Sequence, residues 1–144
     1  MSLQTPFEFN RGEKCIITTP DFLQLPKAHI DTTEFIDSGN FVDVEGKLCT
    51  IGTTHKWWGL VTEANFYNVS TGKVLKPSGN VEAYYSGMSI ITKMFKDDET
   101  TPIKKGDLLT IVDGLPTKID ADTHTVPVFQ VLNRGTDYLE LVTL

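Results

Sequence analysis

The chain has little alanine, little cysteine and no long apolar run, and each shortage excludes a class of protein. Only 4 of its 144 residues are Ala, the strongest helix former, which disfavours a helical fold. No apolar run approaches the roughly 20 residues that span a bilayer as a helix, so we expect no membrane partner. The first residues, 1–6, lack the basic and apolar regions of a secretory signal. The sequence therefore predicts a protein made in the cytoplasm and not secreted.

Cysteine is limited to Cys15 and Cys49, whose spacing matches no zinc or redox motif. Both lie in apolar segments with the composition of strands. Because free cysteine is often buried, we expect two buried, reduced thiols, and a disulfide between them is the alternative.

The residues that are abundant favour β-structure. Thr (19), Val (11) and Ile (10) together make 40 of the 144 residues, and β-branched side chains pack well on pleated sheets. From Asp37 onward, turn signals recur every 8–12 residues between short apolar segments. The alternation is clearest near the end, where Leu139 and Leu141 share one face. We predict an all-β fold, a small antiparallel β-barrel or sandwich that is jelly-roll-like.

The N-terminal part of the chain has a different pattern. Prolines at positions 6, 20 and 26 interrupt it repeatedly, since proline fixes φ and removes a hydrogen-bond donor. We therefore predict an extended N-terminal arm over residues 1–36 and a β-domain over residues 37–144. Within the arm we expect one short strand at 14–18 and one short helix at 29–36, with Asp31 as its cap.

Charge argues against nucleic acid as a partner. The chain carries 13 basic and 19 acidic residues, a net charge of −6. Binding to phosphate backbones needs clustered Lys and Arg, and no such cluster stands out.

No catalytic motif is present, so we expect a protein that is not an enzyme. There is no phosphate-binding glycine loop and no recognised metal-ligand spacing around His29, His55 or His124. We accordingly predict no cofactor and no metal. A small cupin-like enzyme that uses these three histidines as metal ligands is the alternative of this class.

The stretch His55-Lys56-Trp57-Trp58 is the most distinctive in composition. In a strand, adjacent side chains point to opposite faces. We therefore expect one tryptophan to enter the core and the other to face solvent or a partner.

Three segments in the last two-fifths of the chain follow each other in a characteristic order. Lys105-Gly106-Asp107 leads into an apolar strand that ends at Asp113-Gly114, a segment 126–132 with the sequence VPVFQVL follows, and a terminal strand begins after Gly135. In this layout of strands and turns, the chain from Gly87 to Leu144 resembles the head decoration, or cement, proteins of tailed bacteriophages.

The resemblance implies a structural virion protein on the outer surface of a capsid. Such a protein would bind the major capsid protein, clamp neighbouring capsid subunits, and assemble with itself as a homotrimer. The arm would lie across an adjacent subunit. The expected partner-binding residues are the apolar side chains of the arm together with the two tryptophans: Phe7, Phe9, Phe22, Leu23, Leu25, Trp57 and Trp58.

A second interpretation is a carbohydrate- or receptor-binding β-sandwich module of a virion fibre or adhesin. Its stacking platform would consist of four aromatic side chains: Trp57, Trp58, Tyr84 and Tyr85.

Overall fold

The computed structural model describes residues 14–21, 24–32, 34–62 and 79–144, which form two antiparallel sheets. The strands in these residues are β1 (Cys15–Ile17), β2 (Lys27–Thr32), β3 (Phe41–Val42), β4 (Gly59–Leu60), β5 (Gly79–Tyr84), β6 (Ser89–Thr92), β7 (Leu108–Val112), β8 (Leu115–Lys118), β9 (Phe129–Arg134) and β10 (Leu139–Thr143). No helix in this part of the chain is long and apolar enough to cross a membrane.

The two sheets are open and face each other, so the protein is a β-sandwich and not a closed barrel. The larger sheet has six strands in the order β1-β6-β10-β9-β7-β8, and the smaller has four in the order β2-β5-β4-β3. Side chains from both sheets form one buried cluster between them. The predicted all-β class is confirmed.

Several features of the larger sheet agree with local patterns in the sequence. Leu139 and Leu141 of β10 are both fully buried, as their alternation predicted. The turn between β7 and β8 consists of Asp113 and Gly114, both with positive φ (51° and 76°). Positive φ at both central residues defines the type I′ turn, whose twist matches that of the flanking strands.

Three aromatic rings occupy the centre of the sandwich. Phe41 of β3 and Trp58, which precedes β4, come from the smaller sheet, and Phe129 of β9 comes from the larger sheet. The ring centroids lie 5.5 Å apart for Phe41 and Trp58, 5.2 Å for Phe41 and Phe129, and 5.6 Å for Trp58 and Phe129. We call these three residues the aromatic triad, and it joins the two sheets directly.

A second, smaller apolar cluster is distinct from the core between the sheets and includes side chains of β3 and β5. Its buried members are Ile36, Val42, Val61, Val81 and Ala83, and Ile30, Leu48 and Trp57 pack against it. Val42 follows Phe41 of the triad in β3, so consecutive side chains of this strand serve the two different clusters.

The described part of the predicted arm belongs to the sandwich. β1 pairs with β6 in the register Cys15↔Thr92, which agrees with the strand expected at 14–18. The helix expected at 29–36 is wrong, because residues 27–32 form β2 and pair with the whole of β5. Asp31 lies opposite Asn80 in this ladder and caps no helix.

Both cysteines are free and buried, as the sequence predicted. Cys15 and Cys49 belong to the core between the sheets. Burial raises the pKa of the Cys15 thiol to about 12 and that of Cys49 to about 11, from an ordinary value of 9.0.

We expect Phe129→Ala to lower the free energy of unfolding by about 3–5 kcal/mol, because it removes one member of the triad and leaves a cavity. Leu132→Ala is the matched control, since Leu132 lies on the same strand but is 39% exposed. The control substitution should lower the free energy of unfolding by less than about 1 kcal/mol. Urea denaturation measures both, and similar losses for the two variants would contradict the central role of Phe129.

The thiols also predict a pH dependence of stability. In the unfolded chain they ionise near pH 9, whereas in the folded chain they stay protonated until the pH approaches 11 or 12. The contribution of the protonated thiols to the free energy of unfolding is therefore fully present below pH 9. It is lost as the pH rises from 9 through the pKa values of the folded chain. The gap in unfolding free energy between the native chain and a Cys15→Ala, Cys49→Ala variant should shrink between pH 8 and pH 10. An unchanged gap would contradict this account.

Candidate functional site

A concave surface with aromatic walls lies beside the smaller sheet. It encloses about 230 Å³ and is lined by residues 55–58, 85–87, 127–128 and 143–144. We call it the aromatic groove. It brings together the distinctive stretch from the sequence and segments that are distant along the chain.

Trp57 and Trp58, which precede β4, pack in different places, and one of them enters the core as the sequence predicted. Trp58 is 9% exposed and belongs to the core. Trp57 is half-buried and packs against the smaller apolar cluster. The role that the structure gives Trp58 is therefore core packing, with one part lining the groove, and its assignment as a partner contact stays a prediction.

Trp57 lies over a glycine. A Cβ added to Gly59 would come within 2.8 Å of the Trp57 Cη2 atom and 2.7 Å of the Ala83 Cβ atom. Only the absence of a side chain at position 59 lets the indole ring approach the sheet this closely. The Cη2 and Cζ2 atoms of the ring therefore lie against Gly59.

Tyr85 completes the aromatic part of the groove. Its ring centroid lies 5.7 Å from that of Trp57 at an interplanar angle of 49°, within the range of favourable aromatic pairs. Tyr85 is 40% exposed, whereas Tyr84 is buried in the core. Of the four aromatic residues proposed as a platform, the structure therefore brings only Trp57 and Tyr85 together at the surface.

Polar groups line the same groove. His55 and Lys56 are exposed, and the Lys56 Nζ atom lies 3.7 Å from a carboxylate oxygen of Asp43. The Thr143 hydroxyl accepts a hydrogen bond from the Met88 amide at 2.9 Å. No Asp or Glu side chain is among the lining residues, although the chain as a whole is acidic.

The predicted arm anchors divide into two groups. Leu25 is half-buried and packs against the core between the sheets, so its structural role is packing. Phe7, Phe9, Phe22 and Leu23 lie outside the described residues, and their assignment stays a prediction.

The three histidines have different neighbours. His29 Nε2 lies 3.4 Å from a carboxylate oxygen of Glu82 on the adjacent strand. His124 Nδ1 lies 3.2 Å from the Ile51 carbonyl oxygen, and His55 lines the groove. Among the described residues, no group of three or more His, Cys, Asp or Glu side chains is placed to hold a metal ion.

Sequence reasoning missed a larger cleft of about 580 Å³, lined by residues 96–101, 103 and 117–120. Three of its carboxylates, those of Asp97, Asp98 and Asp120, accept hydrogen bonds from backbone amides of their own loops. Asp97 accepts the Ile103 amide at 2.8 Å and binds Arg134 at 2.9 Å, and these contacts lower its pKa. The amides of His124, Thr123 and Asp122 lower the pKa of Asp120 in the same way. These hydrogen bonds give the carboxylates of Asp97 and Asp120 a structural role, since they hold the loops in place.

A pair of exposed apolar side chains was also missed. Phe35 is 58% and Val44 is 66% exposed. No sequence signal distinguished them, because Phe35 fell within the helix that was wrongly expected and Val44 within one of the short apolar segments after Asp37.

Comparisons with protein-family models, with curated proteins and with solved structures give no match to this chain.

We expect Gly59→Ala to destabilise the protein by about 1–3 kcal/mol, because the added methyl group clashes with Trp57 and Ala83. Displacement of the indole should also change the tryptophan emission spectrum of the folded protein. Gly52→Ala is the control, since an added Cβ there would meet only the Thr123 carbonyl oxygen at an ordinary 3.6 Å. Equal stability and unchanged emission for both variants would contradict the packing of Trp57 on Gly59.

Proposed function

We propose that the chain is a structural, non-enzymatic virion protein that binds the outer surface of a phage capsid as a homotrimer. In this role it contacts the major capsid protein and clamps neighbouring subunits. The observation that carries the proposal is the exposure of two apolar side chains, Phe35 (58%) and Val44 (66%), on segments that hydrogen bonds join to each other. The order of strands and turns in the last two-fifths of the chain supports it.

Hydrogen bonds hold the two segments that carry these side chains. The Leu48 amide donates to a Glu34 carboxylate oxygen at 3.0 Å, and the Thr32 hydroxyl donates to the Gly46 carbonyl. Gly46 itself lies so close to the backbone of Asp31 that a Cβ there would clash. Phe35 and Val44 are therefore presented on segments tied to each other and to β2.

A surface of this kind suits a permanent partner. Large exposed apolar side chains are an association liability unless they are covered, and burying each contributes about 1.5–3 kcal/mol. Because the two segments are already ordered, docking costs less conformational entropy than docking a flexible loop. Contacts of this type fit a protein that stays on a capsid.

The N-terminal residues extend the proposed contact. β1 lies at an edge of the larger sheet, so the chain enters the sandwich at its border. We assign Phe7 and Phe9, which precede β1, to contacts with an adjacent subunit.

The site chemistry supports a non-enzymatic role. The thiols of Cys15 and Cys49 are buried and protonated, which removes the two strongest nucleophiles among the described residues. Asp97 and Asp120 are engaged in loop hydrogen bonds.

The test is co-sedimentation with empty heads of the phage that encodes the chain, together with light scattering of the purified protein. We expect saturable binding to heads and a mass three times the 16.1 kDa of one chain. Phe35→Ser combined with Val44→Ser should weaken head binding at least tenfold, whereas Leu132→Ser, at an exposed position of β9 in the larger sheet, should not.

Two results would contradict different parts of the proposal. Failure of the native chain to sediment with heads would refute the capsid role. A monomeric mass with intact head binding would refute the trimer alone.

A further inference from the structure

We propose that the aromatic groove is a saccharide-binding site in which a pyranose ring stacks on Trp57 beside Tyr85. This site is separate from the Phe35 and Val44 surface and does not depend on capsid attachment. It would give the protein a second activity, recognition of sugars.

The chemistry of the groove matches that of a sugar. A pyranose presents a patch of C–H groups on one face and hydroxyl groups around its rim. Trp57 and Tyr85 supply aromatic surface for the C–H face, and both side chains combine an apolar ring with a polar end. Lys56, His55 and Thr143 lie around the same concavity and supply donors and acceptors for the rim hydroxyls.

The aromatic surface is already ordered. The indole of Trp57 lies against Gly59, packs on the smaller apolar cluster and is flanked by Tyr85 at 5.7 Å. A ligand that stacks on a fixed ring does not have to order that ring first, so the contact loses less entropy. A loosely attached surface tryptophan would lack this advantage.

The size of the groove favours one sugar unit over a protein partner. At about 230 Å³ it is smaller than the roughly 300–1,000 Å³ of pockets for drug-sized ligands. A stable protein–protein contact buries about 800 Å² on each partner, far more than this concavity offers. A single ring with its substituents fits the available space.

The experiment uses the full chain and three defined probes: methyl glucoside, methyl galactoside and N-acetylglucosamine at millimolar concentration. Saturation-transfer NMR detects binding, and titration followed by tryptophan fluorescence gives the affinity. We expect transfer to the ring protons of at least one probe. Trp57→Ala should weaken its binding about tenfold or more, and Trp57→Phe should restore part of the loss because it keeps a ring.

Two further variants make the result decisive. Phe35→Ala removes an exposed aromatic ring away from the groove and should leave sugar binding unchanged. Tyr85→Ala should weaken sugar binding. Because Tyr85 is 40% exposed, we expect this variant to fold, so it tests the groove even if Trp57→Ala does not fold. Thermal unfolding of each variant identifies any that is unfolded.

Two outcomes would overturn the inference. One is the absence of saturation transfer to all three probes, and the other is binding at native affinity by the folded Tyr85→Ala variant. Loss of head binding in Tyr85→Ala without any sugar binding by the native chain would instead assign the groove to a capsid contact. Sugar binding by a chain that does not bind heads would support the groove and refute the capsid role, so the two proposals fail separately.

Discussion

The packing of Phe41, Trp58 and Phe129 is the contact on which the rest of the sandwich depends. These rings bridge the two sheets at centroid distances between 5.2 and 5.6 Å. No disulfide links the sheets within the described residues, so their association there rests on apolar packing. Because protein interiors are close-packed, a change in one of these rings is felt by its neighbours.

The triad also determines what appears at the surface. Trp58 packs in the core, whereas its neighbour Trp57, in the segment that precedes β4, packs against the smaller apolar cluster. Gly59, which has no side chain, leaves room for the indole, and Tyr85, the residue after β5, packs beside it. The groove is therefore a consequence of how the core is packed, and its geometry is tied to the stability of the fold.

The sequence allowed prediction of those features that depend on local chemistry. The turn at Asp113-Gly114, the alternation at Leu139 and Leu141, and the opposed tryptophans all follow from the conformational preferences of a few adjacent residues. The helix at 29–36 failed because a capping pattern is also local, whereas β2 is stabilised by pairing with β5 some fifty residues away. The pairing of Trp57 with Tyr85 and the exposure of Phe35 and Val44 likewise depend on distant segments, so no local signal could reveal them.

The pairing of β1 with β6 has a consequence for synthesis of the protein. Cys15 lies opposite Thr92, so β1 leaves the ribosome long before its partner strand exists. Such distant contacts form slowly, since a long loop must close before they stabilise anything. The β7–β8 hairpin, by contrast, needs only its two-residue turn. The apolar side chains of β1 thus remain uncovered until residues 89–92 are made, and this interval is when the nascent chain is most exposed to aggregation.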